Sequence, residues 1–500
     1  MTEPKLCVTV EGPTMEDLRR SRDAAVEADL VELRLDLVDR PDVAGALLGR
    51  RTPVIVTCRA PWEGGRFTGS EEERRRVLES AAALGAEYVD VEAAADFAAD
   101  FTRARGGRGV VLSSHVFGEP PEDLRDRYAR MRSSGAEVVK LAIQPSTLEE
   151  TLPLFDLGAE AGVEAGSGHV LLGMGNQGLA TRVLAARLRN RWTYAGDGVA
   201  PGQLPASRML RDFRFRRISP DAALYGVVGN PVAHSRSPVM HNAGFAALGL
   251  NAVYLPLEAR DSDDFIAFAS HMSLRGASIT APFKIALISR ADEVDALATR
   301  VGAINTLIVR HGRWLGANTD VEGFLVPLAR RTGLEGMRVT VIGSGGAARA
   351  VAVALASRKA RVTVSARNRV SARAIADLVA GAAGEFPPPT GSWDVLVNAT
   401  PIGSQSVPGT PMGRTPLDGQ IVFDLVYAPA DTQLLRDADA AGCQTIGGLE
   451  MLIAQAERQF ELWTGQRPPA GLFEAAATAG DEVAAIAGGA GNAPGNDRVT

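Results

Sequence analysis

Short β-branched, apolar runs recur through the first two hundred positions, beginning near residues 5, 29, 52, 86, 109, 136, 169 and 191. Most of the gaps between them carry helix-type sequence, as at 70–84 and 121–135. Eight strands alternating with helices predict a closed parallel (β/α)8 barrel over residues 1–215. In such a barrel the chemistry gathers at the C-terminal ends of the strands. The polar residues that interrupt the apolar runs fall there: Glu32 and Arg34, Arg59, His115, Lys140, and Arg182 just beyond Gly175.

The pattern changes after a basic stretch, 211–217, which reads as a solvated linker or helix end before a new strand at Leu224. Strands are expected at 224–228, 252–257 and 276–280, each followed by helix-type sequence, so that 222–330 forms a small open α/β domain. A buried strand near 338–342 then runs into a glycine-rich turn and an Ala-rich helix, the opening of a Rossmann-type domain over 331–480. The last twenty residues, 481–500, rich in Gly with Ala, Asn and Pro, read as a disordered tail. The whole chain is therefore of the α/β class.

Bulk properties narrow the function classes. A chain of 500 residues needs more than one core. With 46% hydrophobic and 22% charged residues and a net charge of −6, it offers no basic surface for nucleic acid. Cys7, Cys58 and Cys443 lie too far apart for a disulfide framework or a metal site, which fits a reducing compartment. No apolar stretch is long enough to span a membrane, and no signal segment precedes the first strand, so the cytoplasm is the expected location. The expected assembly is a monomer or homodimer.

Candidate chemistry follows from individual positions. Lys140 and His115 end neighbouring apolar runs, an arrangement suited to Schiff-base chemistry with a proton shuttle. A lysine amine attacks a ketone only when neutral, against a free pKa of about 10.4. A lysine there also fits a rim position with its ammonium snorkelling to water. Gly343, Gly345 and Ala348 form G-x-G-x-x-A between a strand and a helix, the context in which a turn cradles a pyrophosphate. The next strand ends at Arg367-Asn368-Arg369 with no acidic residue for a ribose hydroxyl, and cations there suit the 2′-phosphate of NADP. Ser235 and Ser237 precede a helix and fit either capping or a carboxylate or polyol ligand. Thr280, Lys284, Asn305 and Asp320 stand at strand-to-loop junctions, where each fits turn chemistry and all together suggest a polar cluster beside a nicotinamide.

Residues 222–475 resemble a shikimate dehydrogenase. The matching signatures are His234-Ser-Arg-Ser-Pro238, Thr280 to Lys284, Asn305-Thr306, Asn318-Thr-Asp320, Gly343–Ala347, Asn398-Ala-Thr400, Asp424–Tyr427 and Gly448–Ala456. The resemblance implies reduction of 3-dehydroshikimate to shikimate with NADP(H). It implies Lys284 and Asp320 as the catalytic pair, and Ser235, Ser237, Thr280, Asn305, Tyr427 and Gln455 as substrate contacts. Gly343, Ser344, Gly345, Gly346, Ala347, Arg367, Asn368, Arg369, Asn398, Thr400 and Gly448 would hold the cofactor, and the last helices would return to the substrate domain. Ser404 departs from the family's usual methionine.

Residues 5 to about 210 resemble a type I 3-dehydroquinate dehydratase. The matching positions are Glu32-Leu-Arg34, Thr57-Cys-Arg59, Glu63-Gly-Gly65, His115, Val139-Lys140, Met174–Gly178, Arg182 and Ala200–Gln203. That resemblance implies Lys140 as Schiff-base nucleophile, His115 as proton shuttle and Glu63 as its orienting partner. Arg182 and Gln203 would bind substrate, with Glu32, Arg34 and Arg59 lining the site. Val199 stands where a serine is expected, and Val116 where Asp or Asn is usual. The order of the halves resembles the fused plant enzymes, and the product of the first half would be the substrate of the second. The alternatives are a quinate/shikimate oxidoreductase and a metabolite-sensing regulator without turnover, the latter disfavoured by the presence of Lys140, His115, Lys284 and Asp320.

Overall fold

A computed structural model describes residues 3–161, 168–198 and 201–479. Val199, Ala200 and the segment 481–500 lie outside the described residues. The chain forms two compact units, one of residues 1–238 and 251–274, the other of 239–250 and 275–500.

The first unit is built on eight parallel strands: β1 (Lys5–Val10), β2 (Leu30–Arg34), β3 (Val54–Thr57), β4 (Tyr88–Glu92), β5 (Val110–Val116), β6 (Val138–Ile143), β7 (Gly168–Gly173) and β8 (Trp192–Ala195). They pair in the order β7-β6-β5-β4-β3-β2-β1-β8. The expected barrel is present and nearly closed. At the β7/β8 seam the Asn190 side chain accepts from the Leu171 amide (2.9 Å) and donates to the Leu171 carbonyl (3.0 Å). An amide side chain thus supplies the backbone partners that a continuous ladder would have given.

The strands carry two stacked interior layers. Cys7, Leu30, Ile55, Val111, Val138, Val170 and Trp192 pack into one buried apolar cluster. Side chains two positions on share the same face of a strand. Those positions are Thr9, Glu32, Thr57, Ser113, Lys140, Leu172 and Tyr194, all buried, and the first five are polar. A polar layer therefore stands on an apolar plug, one residue pair nearer the C-terminal ends of the strands.

The basic stretch at 211–217 is a helix end fixed to the barrel. Asp212 accepts from Arg208 (2.9 Å) and Arg211 (2.7 Å), Arg216 pairs with Asp29 (2.8 Å), and Phe213 and Phe215 are buried. The parallel strands β9 (Ala223–Gly229) and β10 (Ala252–Glu258) and the helix Ser262–His271 complete this unit. Arg187 donates to the carbonyls of Pro220, Met272 and Ala222 (3.2, 3.4 and 2.7 Å), and His271 Nε2 lies 2.9 Å from Asp156.

The second unit contains β11 (Gly276–Ile279), β12 (Glu293–Val294), β13 (Thr306–Arg310) and β14 (Arg313–Ala317), with β13 antiparallel to both β11 and β14. Its other sheet comprises β15 (Arg338–Ile342), β16 (Arg361–Ser365), β17 (Ala382–Ala383), β18 (Val395–Asn398), β19 (Ile421–Asp424) and β20 (Gln444–Ile446). All six are parallel, in the order β17-β16-β15-β18-β19-β20. That is the doubly wound order whose switch point opens a crevice between the first and fourth strands. Helix Gly448–Thr464 crosses helix Asp320–Ala329 where Gly323 leaves no room for a β-carbon against Gln455.

Close backbone approach fixes the turn after β7. A β-carbon on Gly178 would lie 2.2 Å from the carbonyl carbon of Gly173. Overpacking of this kind costs about 1–3 kcal/mol. Gly178→Ala should therefore lower the urea midpoint of barrel unfolding, followed by hydrogen exchange of the β6 and β7 amides. An unchanged midpoint would mean that the turn has slack.

Candidate active sites

The polar layer of the barrel opens into a cavity of about 280 Å³ lined by Glu32, Arg34, Arg59, Glu63, His115, Lys140, Arg182 and Gln203 among others. All eight barrel residues singled out in the sequence meet there. Glu32 and Lys140 stand mid-strand in β2 and β6, His115 near the end of β5 and Arg34 at the end of β2. Arg59, Glu63, Arg182 and Gln203 come from the segments that follow β3, β7 and β8, so closure of the barrel brings them together.

Lys140 Nζ lies 3.2 Å from Asp90 Oδ2 and 3.5 Å from Glu32 Oε1, and 4.3 Å from the centre of the Tyr194 ring. Glu32 is held by the hydroxyls of Thr9 and Thr57, each at 2.9 Å. Arg59 is the hub of the layer: it reaches Asp90 (2.9 Å), Glu92 (3.0 Å), the Ser113 hydroxyl (2.7 Å) and, more loosely, Glu63 (3.8 Å). Burial alone would weaken the Arg59 charge, but Asp90 and Glu92 outweigh it and hold the guanidinium protonated. Burial likewise works to raise Asp90, and Arg59 and Lys140 overcome it, so the carboxylate stays ionised.

Glu63 Oε2 receives both the backbone N–H of His115 (3.0 Å) and its Nδ1 (2.8 Å). That pairing fixes the ring and leaves Nε2 as the nitrogen available to a ligand. Burial, then Arg59 and Lys140, push the imidazole well below its ordinary pKa, so it is neutral near pH 7. Burial raises Glu63 to about 7 against the pull of Arg59.

Arg34 is oriented by a two-pronged contact with Asp36 (2.9 and 2.7 Å). Gln203 Nε2 donates to Thr9 (3.1 Å), while its Oε1 has no partner among the described residues. Arg182 meets only carbonyls, those of Tyr194 (3.5 Å) and Pro201 (3.2 Å), and its Nε has no partner among the described residues. Burial lowers it to about 10. A buried guanidinium without a carboxylate is a site for an anionic ligand.

In the second unit Lys284 Nζ lies 2.5 Å from Asp320 Oδ2. Asn305 donates to the other oxygen, Oδ1, at 2.7 Å and reaches Gln455 Oε1 at 3.4 Å. Asn305 Oδ1 accepts from the Thr319 amide (2.7 Å) and the Thr306 hydroxyl (2.8 Å), and Gln459 Nε2 donates to the Asn305 backbone carbonyl (3.0 Å). Asp320 opens its helix with its amide bonded to Asn318 (3.1 Å). Thr280 follows β11 and Tyr427 follows β19, both half-buried. Ser235 and Ser237 belong to the first unit, where the Ser237 amide donates to Ser235 Oγ (3.2 Å).

The turn after β15 fits a dinucleotide. Gly343 has φ +129°, and a β-carbon there would lie 2.8 Å from the Ala399 carbonyl, so a side chain is excluded where β15 and β18 diverge. Helix Gly346–Ser357 begins at Gly345 with no side-chain cap, leaving its first amides open to phosphate. The position of a Gly346 β-carbon is 3.5 Å from Lys284 Cδ, which sets the lysine beside this turn. Arg367 and Arg369 are exposed, and Asn368 between them is spent on capping the next helix through the Ser371 amide (3.1 Å). Asn398 is tied to Asp424 (2.9 Å) and to the Thr400 amide (3.0 Å), which shapes the opposite wall. Gly448 is required by packing, since its β-carbon would meet the Leu425 carbonyl at 2.3 Å. Ser404 sits in a tight bridge with Val407 and shares a hydroxyl contact with Ser406 (3.1 Å).

Sequence reasoning missed Asp90 and Glu92 in β4, Ser113 in β5, Tyr194 in β8, and Thr319 and Gln459 in the second site. The available signal for the first pair was the spacing of two acids two apart within a strand of an expected barrel.

Comparison with known proteins gives the family. The family model described as type I 3-dehydroquinase matches residues 6–220, the shikimate dehydrogenase substrate binding domain matches 227–307, and the shikimate 5'-dehydrogenase C-terminal domain matches 448–478. A chloroplastic bifunctional 3-dehydroquinate dehydratase/shikimate dehydrogenase from Arabidopsis thaliana is 34% identical, over 94% of this chain and 83% of its own length. A shikimate dehydrogenase (NADP(+)) from Halobacterium salinarum is 40% identical, over 51% of this chain and 97% of its own. A solved shikimate dehydrogenase in complex with NADP+ is 32% identical with a TM-score of 0.50, covering 53% of this chain and 97% of that one. The two halves, in this order and over nearly the full length, make the chain a member of the bifunctional 3-dehydroquinate dehydratase/shikimate dehydrogenase family.

Proposed function

We propose that the barrel dehydrates 3-dehydroquinate to 3-dehydroshikimate through a Schiff base on Lys140, and that the second half reduces 3-dehydroshikimate to shikimate with NADPH. The observation that carries the first step is the meeting of a buried amine with a carboxylate-oriented imidazole in one cavity. Lys140 attacks the ring ketone, and the resulting iminium withdraws electrons from the neighbouring carbon. His115 Nε2 takes the proton there, the hydroxyl one carbon further leaves as water, and hydrolysis frees the amine. Arg182 and Gln203 bind the anionic and hydroxylated parts of the substrate. In this reading residues 1–215, 222–330 and 331–480 act as dehydratase, substrate-binding and NADP-binding domains.

The dinucleotide-binding turn at Gly343–Ala347 and the cations at Arg367 and Arg369 would hold NADP(H), which supplies the hydride when bound. Lys284 places a proton donor at the carbonyl oxygen as negative charge builds on it, and Asp320, fixed by Asn305, aims the lysine. Ser235, Ser237, Thr280, Tyr427 and Gln455 would contact substrate. The three free, buried cysteines support a reducing compartment, and we place the chain in the cytoplasm.

Supplied with 3-dehydroquinate and NADPH, the chain should consume NADPH and form shikimate. Lys140→Met should stop this, and added 3-dehydroshikimate should restore NADPH loss. Lys284→Ala should keep the dehydratase and lower the reductase kcat about 10²–10⁴-fold with little change in KM. A rise in KM at constant kcat would make Lys284 a tether. Borohydride with 3-dehydroquinate should fix ligand mass on Lys140 and nowhere else.

Arg367→Ala should raise the KM for NADPH far more than that for NADH, because only the former carries the 2′-phosphate. Equal effects would remove Arg367 from that role.

The acid limb of dehydratase kcat/KM should lie near pH 7. His115 is already neutral there, while Glu63 gains a proton as pH falls through its raised value and ceases to orient the ring. Glu63→Gln should abolish the limb as well as lower the rate. A limb that persists in Glu63→Gln would assign it to another group.

A further inference from the structure

Asp90 is absent from the mechanism above, yet it is the carboxylate nearest the reactive amine. It is fully buried in β4, and each of its oxygens is committed. Oδ2 takes Lys140 Nζ at 3.2 Å and Arg59 Nη2 at 2.9 Å, and Oδ1 takes the Ser113 hydroxyl at 2.6 Å. Ser113 in turn receives Arg59 Nη1 at 2.7 Å, so guanidinium, hydroxyl and carboxylate form a closed ring of contacts. The competing carboxylate, Glu32, stands further from the amine at 3.5 Å and has a threonine hydroxyl on each oxygen.

We propose that Asp90 is the positioning residue of the dehydratase site: held rigid by Arg59 and Ser113, it aims Lys140 Nζ into the cavity and remains as a fixed anion beside the nitrogen while that nitrogen is cationic. The inference rests on Lys140 being the imine-forming residue. In imine formation the nitrogen bonds to the ketone carbon and the C–O bond breaks. The amine gives up one hydrogen, a second proton arrives through His115, the oxygen leaves as water, and the nitrogen keeps the positive charge. An anion already in place lowers the free energy of that iminium without any reorganisation, the same logic by which preorganised dipoles stabilise developing charge. Asp90 does this without touching the substrate. Its ionised state is maintained by the Arg59 contact, so it holds the iminium proton in place rather than removing it.

The test is Asp90→Asn, which keeps the shape and removes the charge. The dehydratase kcat should fall about 10²–10³-fold, the scale seen when one preorganised electrostatic partner is lost. The KM for 3-dehydroquinate should move far less. The rate at which borohydride-trapped Lys140 adduct accumulates should fall in parallel with kcat, and shikimate oxidation by the second half should be unchanged. A kcat near the parent value, a KM rise at constant kcat, or a kcat loss with undiminished adduct formation would each overturn the proposal. Should Asp90→Asn fail to fold, Ser113→Ala decides the question. It frees Oδ1 while leaving the anion, and should slow adduct formation with KM held; no slowing would overturn the positioning role. If the parent protein itself forms no Lys140 adduct, the Schiff-base reading fails first. An adduct in the parent with an unaffected Asp90→Asn defeats this inference alone.

Discussion

Most of the charge inside the barrel is held in compensated sets, and that constraint governs the dehydratase half. Glu32, Glu63, Asp90 and Glu92 are buried within the same strand ends as Arg59 and Lys140. An isolated buried ion costs several kcal/mol even after relaxation, so each must be answered by an opposite charge or several hydrogen bonds. Arg59 answers three of the four carboxylates, with Asp90 and Glu92 close and Glu63 at longer range. Through Glu63 it reaches the His115 ring, and through Asp90 the Lys140 amine. One guanidinium therefore sets the geometry of both the imidazole and the amine, and the apolar layer beneath it supplies the low-dielectric floor that makes those contacts strong.

The reductase half solves a similar problem with an amide. Asn305 offers its carbonyl oxygen to Thr319 and Thr306 and its NH2 group to Asp320 and Gln455. The helix Gly448–Thr464, distant in sequence, holds Asn305 through Gln459, which also receives the Ser278 hydroxyl at 2.7 Å. The Lys284–Asp320 pair is thus oriented by neutral donors and acceptors and has only one ion pair to satisfy.

Much of this was legible in the chain. The eight barrel strands start within about two residues of the apolar runs that predict them, because consecutive β-branched residues between helical segments have few other buried solutions. Lys140 and His115 could be named because a cation and an imidazole are unusual at such positions, and Glu63 through the resemblance to a type I 3-dehydroquinate dehydratase. Asp90 and Glu92 were passed over, since Asp-Val-Glu alternation taken by itself reads as a solvated face, and only its place in an expected barrel turns that face inward. The Asn190 seam was invisible, as it depends on the register of two strands. The segments 222–238 and 251–274 group with the barrel because Arg187 and His271 tie them to it, contacts made by loop and helix ends that carry no sequence period.

Arg182 carries a consequence for the lifetime of the protein. It is buried and, among the described residues, meets only carbonyl partners, with no carboxylate beside it. An anionic metabolite bound there would supply the missing counter-charge in the folded chain alone and would add about 2.7 kcal/mol of stability at a hundred times its dissociation constant. The population of unfolded barrel open to degradation would then fall as the metabolite is supplied and rise as it is withdrawn.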